Sequence, residues 1–366
     1  MKKQFYVTCS NPVFTYLNQM RIIHNDQDEI NNAFDVYSLL NNKNNIYLVS
    51  SDEHNPKYLS IFLFKGMFIK ILTLKDHSEF ISSCKYFCNL KFKKEYLVSC
   101  TFYFNIENEV IIWQILNDNL YQKIKKLTNS LYLDFRIQYL LIFNNKKIQE
   151  LLIYKSKEYE SSIISVNKEN ISKIINSKEE ILYYLEWSNR KKNQNYIIQC
   201  CSNKIIIFNP FLNEIIFNQI KNKEFKGNNC SACIIYNKND TDILCISNEK
   251  GKIIFYDLFN KMITSIIYIN DNNLRQICEY NNNYLIVVSE TGFFLIIDSN
   301  LKKIIHKTTS KFLDGLKTAK LIKHNKYGEY LLLSGFIMDL FIYKNRDDGI
   351  LNNKPEKIKY SGKLEY

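Results

Sequence analysis

The sequence predicts an all-β fold, a single seven-bladed β-propeller with four antiparallel strands in each blade. Short apolar runs rich in Ile, Val, Tyr and Phe, bounded by Asn, Asp, Lys or Gly, recur along most of the 366-residue chain. Branched and aromatic side chains suit a pleated, packed surface, so these runs indicate strands. The polar residue that ends one run of each unit lies at positions 65, 114, 167, 209, 257, 298 and 344, which gives a repeat of 41–53 residues. This period is typical of a propeller blade.

We therefore expect residues 1–366 to form one domain. The expected blades cover residues 31–75, 76–128, 129–176, 177–221, 228–270, 271–309 and 312–345. The last blade needs one more strand, which either residues 5–8 or residues 357–360 could supply. We favour residues 5–8, because they would join both ends of the chain in one sheet and remove an exposed edge.

The second and third strands of each expected blade are apolar almost throughout, as in Tyr284–Ser289 and Phe293–Asp298. Continuous apolar runs indicate strands that are buried on both faces. The outer strands alternate more, and residues 122–126, with the sequence QKIKK, are an example. The chain has only nine glycines and four prolines, so Asn, Asp and Lys must make many turns. Gly251 and Gly292 stand where tight hairpins favour a positive φ.

The net charge of the chain is +12, from 49 Lys+Arg and 37 Asp+Glu. Bidentate recognition of phosphates and bases favours arginine. The arginines are few and spread over the chain: Arg21, Arg136, Arg190, Arg275 and Arg346. The abundant Lys, Asn, Ile and Tyr all have A/T-rich codons, so base composition is one explanation of the charge. A basic binding face is the other.

The ten cysteines lie mostly inside apolar runs, where a free cysteine packs as a small hydrophobic residue. Cys230 and Cys233 have the spacing of a redox or zinc motif, but side chains three apart on a strand face opposite ways, which favours core packing. No sustained apolar run follows Met1, and residues 330–343 are too short and polar to span a bilayer. We expect reduced thiols, a cytoplasmic or nuclear location and no membrane contact.

No sequence motif of an active site is present. The phosphate-binding patterns GxGxxG and GxxxxGK followed by Ser or Thr are absent, as is the nucleophile pattern GxSxG. The five histidines are scattered along the chain. We therefore predict that the protein is not an enzyme and has no cofactor and no metal site.

Several residues at fixed places in the repeat support a resemblance to the WD40 repeat proteins over residues 31–345. That family carries a Trp-Asp pair at the end of the third strand of a blade. Pairs that stand at this place here are Trp113-Gln114, Phe208-Asn209, Tyr256-Asp257 and Ile297-Asp298. No pair has both family residues, so the resemblance depends mainly on the period and the apolar pattern.

The resemblance also implies structural roles for particular side chains. His77 stands where the family has the His of a Gly-His pair, and it should form a hydrogen-bonded set with Ser99 and Trp113. The Asp that completes the set in the family is missing, and Asn105 and Glu107 lie in that turn. The corresponding structural positions in other blades are Asn209, Tyr256, Asp257 and Asp298.

The resemblance implies a non-catalytic scaffold for protein–protein interactions, or a subunit of a multiprotein complex, that binds partners through the faces and loops of the ring. The alternative is an RNA-associated subunit, in ribosome assembly or beside an RNA-modifying enzyme, that uses a lysine-rich face. In both cases we expect a single propeller within a hetero-complex. The candidate partner-binding residues are Trp187, Lys123, Lys125, Lys126, Arg190, Lys191 and Lys192. For Trp187, packing in the core is the other interpretation, because it ends an expected first strand.

Overall fold

The structure, a computed structural model, is built from strands and one short 3-10 helix, Lys223–Phe225, in the residues that it describes. The described residues are 14–21, 34–51, 55, 57–65, 67–89, 93–101, 109–128, 140–145, 148–155, 160–165, 171–176, 181–192, 194–202, 204–209, 218–220, 223–227, 229–236, 241–269, 273–281, 284–309, 315–324, 328–335 and 339–345. For the described residues between 140 and 176, and for residues 14–21, only the backbone is described.

The described strands form seven sheets, each of four antiparallel strands. Sheet 1 contains β2 (Phe34–Leu39), β3 (Asn42–Ser51), β4 (Leu59–Phe64) and β5 (Phe68–Leu74). Sheet 2 contains β6 (Ile81–Asn89), β7 (Lys94–Thr101), β8 (Glu109–Asn117) and β9 (Leu120–Thr128). Sheet 3 contains β10 (Leu140–Asn145), β11 (Ile148–Lys155), β12 (Glu160–Ser165) and β13 (Ile171–Asn176). Sheet 4 contains β14 (Ile181–Asn189), β15 (Gln194–Cys201), β16 (Ile205–Phe208) and β17 (Asn218–Ile220).

The remaining sheets come from the second half of the chain and from one N-terminal strand. Sheet 5 contains β18 (Asn229–Tyr236), β19 (Asp242–Asn248), β20 (Lys252–Asp257) and β21 (Met262–Tyr268). Sheet 6 contains β22 (Leu274–Asn281), β23 (Tyr284–Ser289), β24 (Phe293–Asp298) and β25 (Lys303–Thr309). Sheet 7 contains β26 (Leu316–His324), β27 (Gly328–Gly335), β28 (Asp339–Asn345) and β1 (Phe14–Arg21).

Neighbouring sheets contact one another through their first strands. The contacts join β2 to β6, β6 to β10, β10 to β14, β14 to β18, β18 to β22, β22 to β26 and β26 back to β2. The first strands therefore surround a common axis, and the fourth strands lie at the outside. The predicted all-β class and the propeller-like arrangement of four-stranded antiparallel sheets are confirmed.

Sheet 7 joins the two ends of the described chain. Its strand order is β1, β28, β27, β26, and β1 pairs with β28 from Phe14 opposite Asn345 to Arg21 opposite Asp339. The N-terminal side thus supplies the closing strand, but its residues differ from those we expected. Residues 5–8 and 357–360 both lie outside the described residues. An eight-residue strand can pair along the whole of β28, whereas a four-residue strand would cover about half of it.

One irregularity recurs near the start of the first strand in five sheets. In each case a single residue has no partner in the second strand and forms a β-bulge. The bulged residues are Ser82, Leu182, Cys230, Arg275 and Lys317. A bulge bends a strand and increases its twist, and bulges tend to be kept at fixed places in a fold. Their shared position shows that the sheets are structural repeats although their sequences differ.

The middle strands are buried on both faces, as the apolar runs predicted. In β20, Ile253 and Phe255 pack with residues of sheet 6, whereas Ile254 and Tyr256 pack with residues of sheet 4. All four side chains are at most 4% exposed. Similar clusters lie between sheets 1 and 2, sheets 6 and 7, and sheets 7 and 1. The core is thus a series of apolar layers between sheets.

Lysine and asparagine make several turns that glycine makes in most proteins. Four described non-glycine residues have a positive φ between 51° and 68°: Lys93, Lys261, Asn273 and Lys302. Gly251 and Gly292, with φ of 72° and 86°, occupy the turns where the sequence predicted them. A left-handed conformation costs a lysine roughly 1–2 kcal/mol because its Cβ crowds the following carbonyl. The scarcity of glycine therefore does not prevent a turn-rich fold.

The cysteines that the structure describes are free thiols, most of them buried. Cys233 lies directly opposite Cys245 in the pair β18–β19. The hydrogen bond between the two thiols, together with burial, raises the pKa of Cys233. Within the described ranges, none of the secondary-structure elements is a helix of the length and apolar character that would cross a membrane.

We predict that removing residues 1–21 destabilises the protein far more than removing residues 1–13. The longer deletion takes away β1 and leaves the outer edge of β28 without its partner, whereas the shorter deletion keeps every described residue. The midpoint of thermal unfolding should fall by about 5 °C or more, as expected for a loss of about 4 kcal/mol from a chain of 366 residues. Circular dichroism on both deletion variants tests this, and equal midpoints would show that β1 does not close the ring.

Candidate functional site

Sheet 2 contains a buried set of hydrogen-bonded side chains, and three of its members are residues that the WD40 resemblance predicted. The loop before β6 places His77 so that its Nε2 lies 2.6 Å from the Oγ of Ser99 on β7. The indole Nε1 of Trp113 on β8 donates to the same Oγ at 2.9 Å. All three side chains are buried. The predicted set of His77, Ser99 and Trp113 is therefore present in the structure.

The acidic member of this group is Glu109, which the sequence analysis missed. One oxygen, Oε2, lies 3.4 Å from His77 Nδ1, and the other, Oε1, lies 2.6 Å from Lys126 Nζ. Glu109 also accepts hydrogen bonds from the backbone N and the hydroxyl of Ser78 at 3.1 and 2.7 Å. The family has its acid in the turn before β8, where this chain has Asn105 and Glu107, and both of these lie outside the described residues. The usable signal was that Glu109 opens the third apolar run, next to the end of β7.

The ionisation of the two partners follows from their surroundings. Burial lowers the pKa of His77, and the carboxylate of Glu109 only partly opposes this shift. Burial alone would raise the pKa of Glu109, but hydrogen bonds from His77, Lys126 and Ser78 hold it well below its ordinary value. A neutral His77 with its proton on Nδ1 directs that proton towards Glu109, at a separation of 3.4 Å that is too long for a good hydrogen bond, and leaves Nε2 to accept the hydroxyl of Ser99. We therefore interpret the group as a structural link.

The other family-like positions also serve the architecture. The Asp257 carboxylate accepts the backbone N of Phe259 and Asn260 at 2.9 and 2.8 Å, and Asp298 accepts the backbone N of Asn300 and Leu301 in the same way. Both aspartates therefore stabilise the turn between the third and fourth strands.

The remaining two family-like positions lie in the core. Asn209 is 2% exposed and Tyr256 is 4% exposed. Tyr256 belongs to the apolar layer between sheets 4 and 5. Neither side chain is placed to meet a partner.

Trp187 is not an exposed anchor for a partner; of the two interpretations, packing in the core is the one that the structure shows. The side chain is 5% exposed, and its Nε1 donates to Asp242 Oδ2 at 2.9 Å. Arg190 binds the other oxygen of Asp242 at 2.8 Å, and the Trp187 ring packs against Tyr196 and Phe259. Asp242 is fully buried and comes from sheet 5. Trp187 and Arg190 therefore link sheet 4 to sheet 5.

Most of the candidate basic residues have partners within the chain. Lys123 Nζ lies 3.4 Å from Asp76 Oδ1, and Lys126 binds Glu109 as described above. Lys191 Nζ lies 4.2 Å from the centre of the Phe259 ring, and the backbone N of Lys192 donates to Asn189 Oδ1 at 3.1 Å. The side chain of Lys125 lies outside the described part. These residues do not form a single free basic patch.

Among the side chains that the structure describes, five strongly exposed large apolar ones lie on sheets 1 and 2, and three more, Met262, Tyr268 and Leu301, lie on sheets 5 and 6. Met67 and Ile69, at the start of the outer strand of sheet 1, are 59% and 46% exposed. Leu116 and Leu120 flank the corresponding turn of sheet 2 and are 48% and 49% exposed, and Ile124 on β9 is 40% exposed. We call these five residues the apolar rim.

The two parts of the apolar rim lie at the same end of neighbouring sheets. Both parts lie at the turn between the third and the fourth strand. This turn is at the same end of every sheet, because the sheets repeat one antiparallel strand order. Asn42 and Asn45 of sheet 1 donate to Asp118 Oδ2, in the turn between Leu116 and Leu120, at 3.3 and 3.5 Å. The turn of sheet 2 therefore lies against sheet 1.

Charged side chains also meet on the first strands. Lys320 of β26 donates to Asp35 Oδ1 of β2 at 3.0 Å, and Asp35 Oδ2 accepts the backbone N of Tyr86 on β6 at 2.9 Å. Lys85 is the neighbour of Tyr86 in the sequence, and the charges of Lys320, Asp35 and Glu186 of β14 affect its pKa. We call Asp35, Lys85, Glu186 and Lys320 the axial cluster. Its members come from sheets 1, 2, 4 and 7, so they approach one another only around the axis.

Burial affects the charges of the axial cluster unequally. It lowers the pKa of Lys85, and nearby Lys320 lowers it further. The pKa of Lys320 is raised, chiefly by the attraction of Asp35. Burial raises the pKa of Glu186, and Lys85 partly opposes that shift. In the described part of the chain, no three His, Cys, Asp or Glu side chains are grouped to hold a metal ion.

Comparison with known proteins identifies a fold and no family. No protein-family model matches the chain, and no curated protein matches it. The chain is similar to a solved structure described as BBS1N in complex with ARL6DN, soaked with mercury. The identity is 12%, the match covers 93% of this chain and 99% of that chain, and the TM-score is 0.66.

A second structure of the same complex, soaked with lead, gives a similar result. Its identity is 11%, the match covers 92% of this chain and 98% of that chain, and the TM-score is 0.63. In total 1432 solved chains match. A likeness that is shared so widely, at such low identity, shows the β-propeller fold alone.

We predict that Ser99→Ala costs about 2–3 kcal/mol of unfolding free energy, because it leaves His77 and Trp113 with unpaired buried polar atoms. The matched control is Ser247→Ala. Ser247 is equally buried, but its hydroxyl makes one bond, to Ser231 O at 3.3 Å, so its loss should cost about 1 kcal/mol or less. Urea unfolding measures both costs. Equal costs would contradict a shared role for Ser99.

We predict that stability declines as the pH falls below about 6.5, the ordinary pKa of histidine. The folded pKa of His77 is lowered, so the unfolded chain binds its proton first and gains free energy on acidification. Glu109, whose folded pKa is also lowered, adds to the decline below its ordinary pKa of about 4.5.

The variant His77→Gln tests this dependence. Its unfolding free energy should depend less on pH between 7 and 5 than that of the wild-type protein, by at most about 1.4 kcal/mol per pH unit. His306, whose pKa burial also lowers, contributes with the same sign, so His77→Gln/His306→Gln should be flatter still. Parallel wild-type and His77→Gln curves in urea titrations would contradict the assignment.

Proposed function

We propose that the protein is a non-catalytic interaction scaffold, a seven-bladed ring of the WD40 type that serves as one subunit of a multiprotein complex. The observation that carries this proposal is the apolar rim. Five large apolar side chains on two adjacent sheets are each at least 40% exposed. Exposed apolar groups that gather in one place mark contact sites for other proteins, whereas scattered ones need no explanation.

The polar groups support a binding role. His77, Glu109, Asp242 and Asp257 are each at most 6% exposed, and they bond to groups of the chain itself. A catalytic acid or base must reach its substrate. In the described ranges, these four buried side chains therefore stabilise turns and contacts between strands and sheets.

The structural neighbours support the same class of function. Their printed description is a complex of BBS1N with ARL6DN, and the match spans almost the whole of each chain. We propose by analogy that this ring also binds a second protein. A location in the cytoplasm or nucleus belongs to the same proposal.

The RNA-associated alternative has less support. It needs lysines that are free to neutralise phosphates on one face of the ring. In the clusters that motivated it, Lys123, Lys126 and Arg190 bind carboxylates of the chain. A protein partner at the apolar rim accounts better for what is exposed.

We predict that Met67→Gln/Ile69→Gln/Leu120→Gln loses a partner that the wild-type protein retains. Glutamine keeps the approximate size of these side chains but removes their apolar surface, so a contact that buries them should weaken about tenfold or more. Affinity purification of the tagged endogenous protein with quantitative mass spectrometry measures the partner that is recovered in stoichiometric amount.

The matched control is Met262→Gln/Leu301→Gln, which changes residues that are 56% and 64% exposed on sheets 5 and 6. This control should retain the partner. Equal recovery with both variants would show that the apolar rim is not the contact. Failure to recover any stoichiometric protein with the wild-type chain would refute the scaffold function.

A further inference from the structure

Three turns of sheets 4, 5 and 6 adjoin one another on one face of the ring. The turn between the first and second strands and the turn between the third and fourth strands lie at the same end of a sheet, because neighbouring strands are antiparallel. Lys191, in the first of these turns of sheet 4, places its Nζ 4.2 Å from the centre of the Phe259 ring, in the third-to-fourth-strand turn of sheet 5. Lys302, in the corresponding turn of sheet 6, places its Nζ 5.9 Å from the centre of the Phe255 ring of sheet 5. The lysines of the three turns therefore form one surface.

The lysines of this surface have no carboxylate partner in the part of the chain that the structure describes. We call them the basic arc, and they are Lys191, Lys192, Lys261, Lys302 and Lys303. Lys302 is half-buried, and the other four are exposed.

The acids in and beside these turns are already engaged. Asp242 is fully buried and binds Arg190 at 2.8 Å. Asp257 and Asp298 accept backbone N–H groups of their own turns. Among the described residues at this end of sheets 4, 5 and 6, the exposed carboxylate is that of Glu279, on the inner strand β22. The surface therefore keeps a net positive charge.

Two large apolar side chains lie in the same turns. Met262 and Leu301 are 56% and 64% exposed, and each is adjacent in sequence to a lysine of the basic arc, Lys261 and Lys302. Exposed apolar side chains gain free energy when a partner covers them, and complementary charge makes the contact specific. A partner that covers these turns must therefore offer apolar surface as well as negative charge.

We propose that the basic arc, together with Met262 and Leu301, is a docking site for an acidic segment of a partner protein in which carboxylates alternate with large apolar side chains. It is a second contact of the ring, on other sheets than the apolar rim, and it does not depend on what the rim binds. A second copy of this chain is unsuitable, because it would bring like charges together.

Two further observations favour a protein segment over other anions. RNA would pair with the lysines, but it would leave Met262 and Leu301 uncovered, and its recognition favours arginine and stacking on aromatic side chains. Lys191 and Lys302 lie against the rings of Phe259 and Phe255, so their ammonium groups have fixed positions. Fixed positions suit carboxylates at a regular spacing along a peptide better than a fluid layer of lipid headgroups.

Fluorescence anisotropy with the full chain tests the site. The probe is a short, capped, fluorescein-labelled peptide that repeats the unit Glu-Glu-Leu. We expect saturable binding that weakens as the salt concentration rises, since exposed charges are screened. The comparison probes are the same peptide with Gln in place of Glu or Ser in place of Leu, an oligouridylate of equal length, and phosphatidylserine vesicles. Each should bind about tenfold or more weakly than the acidic, apolar peptide.

Charge reversal locates the contact. Lys192→Glu/Lys303→Glu should weaken binding of the peptide about tenfold or more. The matched control Lys65→Glu/Lys94→Glu makes the same change of charge at exposed residues of sheets 1 and 2, at the same end of the ring, and should bind as the wild-type protein does.

Apolar variants separate this site from the apolar rim. Met262→Gln/Leu301→Gln should weaken binding of the peptide about tenfold and still retain the partner of the rim. Met67→Gln/Ile69→Gln/Leu120→Gln should bind the peptide normally, whether or not it loses a partner. The proposal is overturned if the wild-type chain does not bind the peptide, if both charge-reversal pairs weaken binding equally, if the rim variant binds the peptide more weakly, or if oligouridylate or the vesicles bind more tightly.

Discussion

Burial of both faces of the middle strands is the constraint on which the rest of the structure depends. A sheet that carries Ile254 on one face and Phe255 on the other must lie between two neighbours. The same holds for each neighbour, and only a closed ring ends the series without leaving an apolar face in water. Closure brings the first strands together around an axis, so that Lys320 of sheet 7 pairs with Asp35 of sheet 1 there. It places the fourth strands outside, where the apolar rim is exposed.

Much of the fold was predictable because its determinants are local. The apolar runs and their period placed strands such as Tyr284–Ser289 and Phe293–Asp298 at the bounds that the structure gives. The closing strand was not placed correctly, since its identity depends on which segment can pair along β28. Phe14–Arg21 mixes apolar and polar residues without a regular alternation and has no stronger local signal than residues 5–8. The residue pattern of one segment does not show which distant segment it pairs with.

The polar groups show a similar division. His77, Ser99 and Trp113 were predictable because they occupy fixed places in a repeat. Glu109 was missed because it lies at the start of a strand. It nevertheless lies beside His77, where the family has an aspartate from the turn. The sequence left Trp187 open between the core and an interface because its partner, Asp242, lies in the next sheet. Hydrogen-bonded side chains can therefore be predicted from sequence when they occupy fixed positions of a repeat. They cannot be predicted when their partners come from another sheet.

The pairing of β1 with β28 also determines when the protein can complete its folding during synthesis. Phe14 leaves the ribosome long before its partner Asn345, which follows it by 331 residues. Until then the face of sheet 1 that will pack on Ile322 and Leu332 of sheet 7 stays uncovered. Long-range strand pairing is slow, and unpaired strands with open apolar faces aggregate readily. The nascent chain therefore has a prolonged period in which it needs chaperone protection, and an interrupted translation product cannot behave as a shorter folded protein.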